Sequence, residues 1–265
     1  MSFFSTVGSL FGWFQEEPQP PTDYTPSYQD VCQARAILQF LKLPTELVLQ
    51  IIDHAQYWPR QTFATSPDRP RIAAVHHGPR ASHAALCLDV GLFDNATVHP
   101  MLKAREIPKI KSLEFTVVSR DQGWTSERTQ GTFNTSSWVE ASILRRVHGT
   151  DIRSPCPQFA NASPHDPSDF HKSVVDQGWF LVKRPESAKQ GPQDGEGDFA
   201  WYLQGNRVAA GREEYHIFWA DDGSEGNTGA GKGEGFLDEL QYGDRILVWA
   251  RAKVRSNQLR AILTM

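Results

Sequence analysis

The chain has 265 residues and a formal charge of −4, from 27 Lys and Arg against 31 Asp and Glu. Hydrophobic residues make up 39% and charged residues 22%, an ordinary composition for a globular protein. No apolar run approaches the ~20 residues of a membrane-spanning helix, and the near-neutral charge argues against a nucleic-acid binder that depends on bulk positive charge. Three widely spaced cysteines exclude a disulfide scaffold and a zinc knuckle. The length allows one large domain or two small ones.

Residues 1–27 are predicted to form an amphipathic segment and a proline-rich linker. At helical spacing, Phe3, Phe11 and Phe14 share one apolar face within residues 1–15, and a cluster of four prolines follows. This face would bind a groove on a protein partner or a membrane surface. Because helices that lie on membranes usually carry Lys or Arg and this segment has none, the sequence favours the protein groove. Without a secretion signal, the chain is expected in the cytoplasm, with membrane association through residues 1–15 as the alternative.

A helical segment is predicted over residues 28–60. Ser27 and Asp30 have the spacing of a capping box, which predicts the start of a first helix that extends to residue 41. Pro44 ends that helix and can occupy the first turn of a second helix. This second helix is expected over residues 44–57, with an apolar stripe along one face.

From about residue 70 the pattern changes to short runs of β type, separated by turn residues. Within several runs the apolar and polar side chains alternate, which is typical of half-buried antiparallel strands. The nine candidate strands are 71–76, 84–90, 111–120, 137–146, 173–182, 199–208, 213–220, 245–255 and 259–265. We therefore predict a mainly β chain, with an antiparallel β-sandwich over residues 70–265 after the short two-helix segment.

The tetrapeptide Asp-Gln-Gly-Trp occurs twice, at 121–124 and 176–179. One interpretation is a pair of structural corners, in which glycine provides a turn and tryptophan packs into the sheet. The other is a duplicated ligand-contact loop. Its contact residues would be Asp121, Gln122, Trp124, Asp176, Gln177 and Trp179. The structural interpretation is favoured, because buried aromatic residues usually belong to a core.

Basic and aromatic residues share one side of the predicted strand 245–255, among them Arg245, Trp249 and Arg251. They would form an anion-binding groove with a tryptophan floor. The favoured alternative is a solvated outer sheet face, on which arginine stems cover Trp249.

Other motifs give no evidence of catalysis. Residues 226–233 have the Gly-x-x-x-x-Gly-Lys spacing of a phosphate-binding loop, but Gly233 replaces the Ser or Thr that binds Mg²⁺, so a flexible hairpin loop is favoured. His76, His77 and His83 lie close together without a carboxylate that would complete a metal site. No nucleophile or zinc-protease motif is present. The sequence therefore predicts no enzymatic activity, no cofactor and no metal.

The segment 43–52, which reads Leu-Pro-Thr-Glu-Leu-Val-Leu-Gln-Ile-Ile, resembles the opening of an F-box. The short helical domain of that family docks on a Skp-type adaptor of cullin ubiquitin ligases and delivers a substrate-binding domain. On this resemblance, Pro44, Leu47 and Ile51 would contact the adaptor.

Most of residues 43–255 also resemble a group of fungal proteins of unassigned function. The shared motifs are Arg-Asp-Gln-Gly-Trp at 120–124, Ser-x-Trp-x-Glu at 136–140, Leu-Gln-x-Asn at 203–206 and the closing Gly-Asp-Arg-Ile strand at 243–252. This resemblance implies kinship and implies no activity.

Two functions of different classes follow from these patterns. The first is a non-catalytic recognition protein, in which a β-sandwich binds a ligand or protein and the helices tether it to a protein partner. The F-box resemblance implies a Skp-type adaptor as that partner. The second is a peripheral membrane protein that inserts its N-terminal aromatic helix into the lipid surface. Neither involves nucleic acid.

Overall fold

The computed structural model describes residues 24–65, 72–74, 83–91, 109–121, 128–147, 157, 167–192, 197–221, 223–253 and 257–264. The chain divides into two compact units, Met1–Arg60 and Gln61–Met265. The helices are α1 (Tyr28–Phe40), α2 (Thr45–His54), α3 (Pro167–Val175) and α4 (Phe236–Glu239). The strands are β1 (Thr62–Ala64), β2 (Ile72–Ala74), β3 (His83–Gly91), β4 (Ser112–Arg120), β5 (Ser137–Arg146), β6 (Trp179–Leu181), β7 (Trp201–Gly205), β8 (Glu213–Ala220), β9 (Gly223–Gly226), β10 (Arg245–Ala252) and β11 (Asn257–Thr264).

The first unit contains the two predicted helices. Ser27 and Asp30 form the expected capping box, because the Asp30 amide donates to Ser27 Oγ (3.2 Å) and the Ser27 amide donates to Asp30 Oδ2 (2.8 Å). Pro44 is the residue that caps α2 rather than a member of its first turn. The second helix ends at His54, three residues before the predicted end, because Gln56 adopts a left-handed backbone conformation (φ 49°).

The second unit is built from two antiparallel sheets. Sheet 1 has the strand order β1-β11-β4-β8-β9, and β2 also pairs with β11. Sheet 2 has the order β3-β10-β5-β6, and β7 also pairs with β5. Three of these strands, β5, β8 and β10, begin at the residue that the sequence predicted.

The inner faces of the two sheets share one hydrophobic core, which confirms the predicted sandwich. Sheet 1 contributes alternate residues of β4 and β8, such as Phe115 and Ile217, and sheet 2 contributes Ile143 and Val248 from β5 and β10. Each of these four side chains is at most 1% exposed. The period of two in the sequence places these residues on one face of each strand.

The outer face of sheet 2 is covered by α3, where the sequence predicted part of a strand. Phe170 and Val174, four residues apart on α3, pack against Trp179 and Trp249. The predicted strand 173–182 is therefore wrong in its first half, and only β6 remains of it. Apolar residues at i and i+4 are typical of a helix, but a run this short also fits the period of a strand.

Among the described residues, none of the helices has both the length and the apolar character needed to cross a bilayer.

Candidate functional site

An open cleft of about 490 Å³ lies beside the start of β8, and we call it the β8 cleft. It combines aromatic rings, charged groups and polar groups. The lining residues are Phe133, Arg207, Glu213, Glu214, Tyr215, Asn227 and Thr228. Its size falls in the range of small-molecule sites in proteins, which is roughly 300–1,000 Å³.

Tyr215 forms the fixed base of the β8 cleft. Strand alternation turns its side chain toward the core, where it is 4% exposed and meets the Phe133 ring edge to face at 6.4 Å. Its hydroxyl donates to Glu213 Oε2 (2.8 Å) and accepts from the Arg207 amide (3.1 Å). Burial raises the pKa of Tyr215 to about 12, so the hydroxyl remains protonated and remains a donor at neutral pH.

One ion pair lines the cleft, and a histidine beside the cleft contacts the second glutamate. Arg207 Nη2 donates to Glu213 Oε1, with the glutamate side chain 23% exposed. His216 Nε2 lies 3.1 Å from Glu214 Oε1, and both of these side chains are more than half exposed. Glu213 and Glu214 are adjacent in a strand and point in opposite directions, as the sequence indicated, so they are not a carboxylate pair for acid–base chemistry.

The turn that follows β9 forms another wall of the cleft. Asn227 makes two hydrogen bonds to the backbone of His216. Its backbone N–H donates to the His216 carbonyl (3.1 Å), and its side-chain Oδ1 accepts from the His216 backbone N–H. The Thr228 carbonyl accepts from Gln204 Nε2 (3.1 Å). These bonds fix the backbone of the wall.

Two glycines of the segment 226–233 lie too close to other groups to carry a side chain. A Cβ on Gly229 would lie 2.4 Å from the Phe133 ring, and a Cβ on Gly231 would lie 1.9 Å from the Tyr202 carbonyl. The Gly231 amide also donates to the Leu203 carbonyl (2.9 Å), and its carbonyl accepts from Trp219 Nε1 (2.9 Å). The loop predicted as flexible therefore begins at the last residue of β9 and forms a turn held against the core.

The first Asp-Gln-Gly-Trp motif places a buried carboxylate in a polar network. Asp121 is 6% exposed; its Oδ1 accepts from Ser137 Oγ (2.6 Å) and its Oδ2 accepts from the Ala209 amide (3.0 Å). Asp121 therefore links the start of β5 to the segment between β7 and β8 through hydrogen bonds. Gln122 and Trp124 lie outside the described residues, so a ligand contact at these positions stays a prediction.

The second Asp-Gln-Gly-Trp motif has a different environment. Asp176 and Gln177 are exposed after α3, and Gly178 has a positive φ of 79°. Trp179 is 3% exposed within the core beneath α3, with the Arg146 guanidinium 4.7 Å from its ring centroid. The turn and the packed tryptophan match the structural interpretation of the motif, and a ligand contact at Asp176 and Gln177 stays a prediction.

The strand face expected to be solvated or to form an anion groove is covered. Trp249 and Arg251 are each 1% exposed. Trp249 Nε1 donates to Ser142 Oγ (3.1 Å), and Arg245 Nε donates to Asp89 Oδ1 (2.7 Å). The sequence did not reveal α3, which packs on this side of sheet 2 and removes the surface.

Arg251 belongs to a buried cluster. Its Nη1 donates to Glu140 Oε1, and Trp138 Nε1 donates to Glu140 Oε2 (2.9 Å). The guanidinium carbon lies 5.3 Å from the Trp138 ring centroid. Since Glu140 is 0% exposed, the cluster is not an open groove for an anion.

The predicted docking residues of the helical unit are exposed. Leu47 is 46% and Ile51 is 42% exposed, and Pro44 is also exposed. Phe3, Phe11 and Phe14 lie outside the described residues, so docking through them on a protein groove or a membrane stays a prediction.

Metal ligands and the thiol of Cys87 were the other candidate reactive groups in the described ranges. No group of three or more His, Cys, Asp or Glu side chains is placed to hold a metal ion in this part of the chain, and His76 and His77 lie outside it. Burial raises the pKa of the Cys87 thiol to about 12, so the reactive thiolate is not formed at neutral pH.

Sequence analysis missed the β8 cleft, because Phe133 joins residues 207–228 only in the folded chain. The nearest signal was the spacing of Arg207 and Glu213 on either side of a turn between two predicted strands, which allows the two to pair. No family model, curated protein or solved structure matches the chain.

Proposed function

We propose that this chain is a non-catalytic recognition protein of the cytoplasm. Its β-sandwich binds a ligand or protein, and its two N-terminal helices dock on a partner protein. The F-box-like segment makes a Skp-type adaptor of a ubiquitin ligase the partner, so the sandwich would select what the ligase receives.

The observation that carries this proposal is the apolar surface of the helical unit. Seven of the eleven large hydrophobic side chains exposed among the described residues lie between positions 24 and 51. They are Tyr24, Ile37, Phe40, Leu41, Leu47, Leu49 and Ile51. Concentrated exposed apolar surface marks interaction sites in soluble proteins.

The arrangement on α2 supports a helix-in-groove contact. Leu47 and Ile51 are four residues apart and therefore lie on one face of the helix, whereas Val48 faces inward at 0% exposed. Anchors at i and i+4 are how amphipathic helices enter apolar grooves.

Co-purification with a recombinant Skp-type adaptor tests the proposal. The full chain should retain the adaptor, and the double variant Leu47→Asp/Ile51→Asp should lose it, because two carboxylates cannot enter an apolar groove without a large desolvation cost. The matched control is Thr45→Asp/Gln50→Asp, which adds the same charge at exposed polar positions of α2. Failure of the wild-type chain to retain the adaptor, or equal retention by both double variants, would refute the docking.

A further inference from the structure

We infer that the β8 cleft binds a neutral carbohydrate. The inference rests on the proposed function, since it names the ligand class of the recognition domain. It follows from two features of the cleft. Its polar groups keep hydrogen-bonding capacity after their internal bonds are made, and contacts with the rest of the protein hold these groups in place.

The ion pair of the cleft offers a charged ligand no net charge. Glu213 receives hydrogen bonds on both carboxylate oxygens, from Arg207 Nη2 and from Tyr215 Oη. Because the guanidinium and the carboxylate neutralise each other, neither an anion nor a cation gains a net Coulomb attraction at this pair.

A hydroxyl group can add to the same ion pair without breaking it. The carboxylate has about four acceptor positions and the guanidinium has about five donors, so both retain capacity after pairing. Since a hydroxyl donates and accepts at once, it fits a surface where donors and acceptors lie side by side. Vicinal hydroxyls of a sugar match this surface.

The remaining polar groups extend this mixed character across the cleft. Asn227 uses its Oδ1 to accept from the His216 amide, so its NH₂ group is the part left to donate to a ligand. The Thr228 side chain adds a hydroxyl. Neutral hydroxyls can bond to both groups.

The cleft is also held in place before a ligand arrives. Tyr215 and Phe133 contact each other edge to face, the turn at Asn227 is bonded to β8, and Gly229 lies directly against the Phe133 ring. Groups held in their binding positions lose less conformational entropy on association. The half-buried Phe133 ring provides the apolar surface that the C–H face of a sugar requires.

Glycan binding by the full chain tests the inference. The neutral probes are oligosaccharides of mannan and β-glucan, the anionic probes are a sulfated and a sialylated oligosaccharide, and the cationic probe is chitosan. We expect binding to a neutral probe, with an affinity that is unchanged between low and high salt because no ion pair forms with the ligand.

Two variants locate that binding in the cleft. Arg207→Met keeps the aliphatic stem but removes the donors, and we expect at least a tenfold loss of affinity. Thr228→Val removes only an exposed hydroxyl and should weaken binding while the protein stays folded. The control Arg212→Met removes an exposed arginine that does not line the cleft and should bind as wild type does. If Arg207→Met fails to fold, Thr228→Val decides.

The inference is overturned if the chain binds no glycan, binds only charged glycans, or binds equally well with Arg207→Met and Thr228→Val. Adaptor capture by the same preparation separates this failure from failure of the proposed function. Capture without glycan binding overturns the carbohydrate alone, and glycan binding without capture overturns the helix docking alone.

Discussion

At the scale of single residues, Trp179 is the clearest case of a motif residue used for packing. It is 3% exposed and contacts the core beneath α3. We expect Trp179→Ala to lower the free energy of unfolding by about 3–5 kcal/mol, the usual cost of removing a buried aromatic side chain. Urea denaturation measures this loss. Phe218→Ala, which truncates a ring that is 39% exposed, is the control and should change stability far less; equal effects of the two would contradict the assignment.

The buried pair of Glu140 and Arg251 gives a second prediction at this scale. Removing one charge leaves the other buried without its partner, so Glu140→Gln or Arg251→Met should each destabilise by about 3–5 kcal/mol. The double variant should cost much less than the sum, because no unpaired charge remains. A double-mutant cycle followed by urea unfolding measures the coupling.

The exposed pair of Asp169 and Lys172 is the reference for that cycle. Its side chains are 40% and 78% exposed with the charged atoms 3.6 Å apart, so its coupling should stay below about 1 kcal/mol. A coupling at Glu140 and Arg251 no larger than this would show that burial does not strengthen their interaction.

At the scale of elements, the contact between α3 and β6 depends on an uncharged histidine. The Leu181 amide donates to His171 Nδ1 (3.1 Å), which therefore carries no proton, and the ring stacks on Phe199 at 4.1 Å. Burial lowers the pKa of His171 below its ordinary value of 6.5. Protonation at Nδ1 would replace the acceptor with a donor that faces another donor.

Stability should therefore depend on pH through His171. Because the folded state has the lower pKa, the unfolded state takes up the proton first. The contribution of His171 is complete above the unfolded value of about 6.5 and is lost as the pH falls from there through the folded pKa. Chemical denaturation of wild type and His171→Gln between pH 8 and pH 5 checks this. The stability difference between them should shrink as the pH falls, and a difference that stays constant from pH 8 to pH 5 would contradict this role of His171.

Sequence patterns predicted the elements whose periodicity runs uninterrupted. The strands β5 and β8 match the predicted residues, and α1 begins at the capping box. The helix α3 was missed because its apolar stripe, Phe170 and Val174, consists of only two residues next to the Asp-Gln-Gly-Trp motif. Short apolar runs fit either period.

The β8 cleft was beyond sequence reasoning for a different reason. Residues 207–228 supply its ion pair, its tyrosine and its turn, and Phe133, which is distant in sequence, joins them only in the folded chain. The Gly-Lys motif at 231–232 suggested phosphate chemistry, whereas Gly231 is small because the Tyr202 carbonyl occupies the space of a side chain. No local pattern distinguishes these two reasons for a glycine.

At the scale of the whole molecule, the two units differ in the share of their side chains that is buried. No residue of α1 is buried and only Val48 is buried in α2, whereas eight of the ten residues of β5 are buried. Helices without tertiary packing are marginal in water. We expect backbone amides of α1 to exchange with deuterium on the order of 100-fold faster than those of β5 in the full chain.

Addition of the Skp-type adaptor provides the control for this comparison. Bound adaptor should slow exchange in α2 and leave β5 unchanged. Exchange in α1 as slow as in β5 without any partner would show that the helical unit is stable by itself and needs no partner surface.

Sheet 1 ends in short strands on both sides, and this has a consequence for aggregation. The outer edge of β11 is paired with two strands of three residues, β1 and β2, and the outer edge of β8 is paired with the four exposed residues Gly223–Gly226. An edge this short, with two glycines, is a poor template for the strands of another molecule. Substitution of Gly223 and Ser224 by valine would extend β propensity along that edge and should turn it into a starting point for fibril growth.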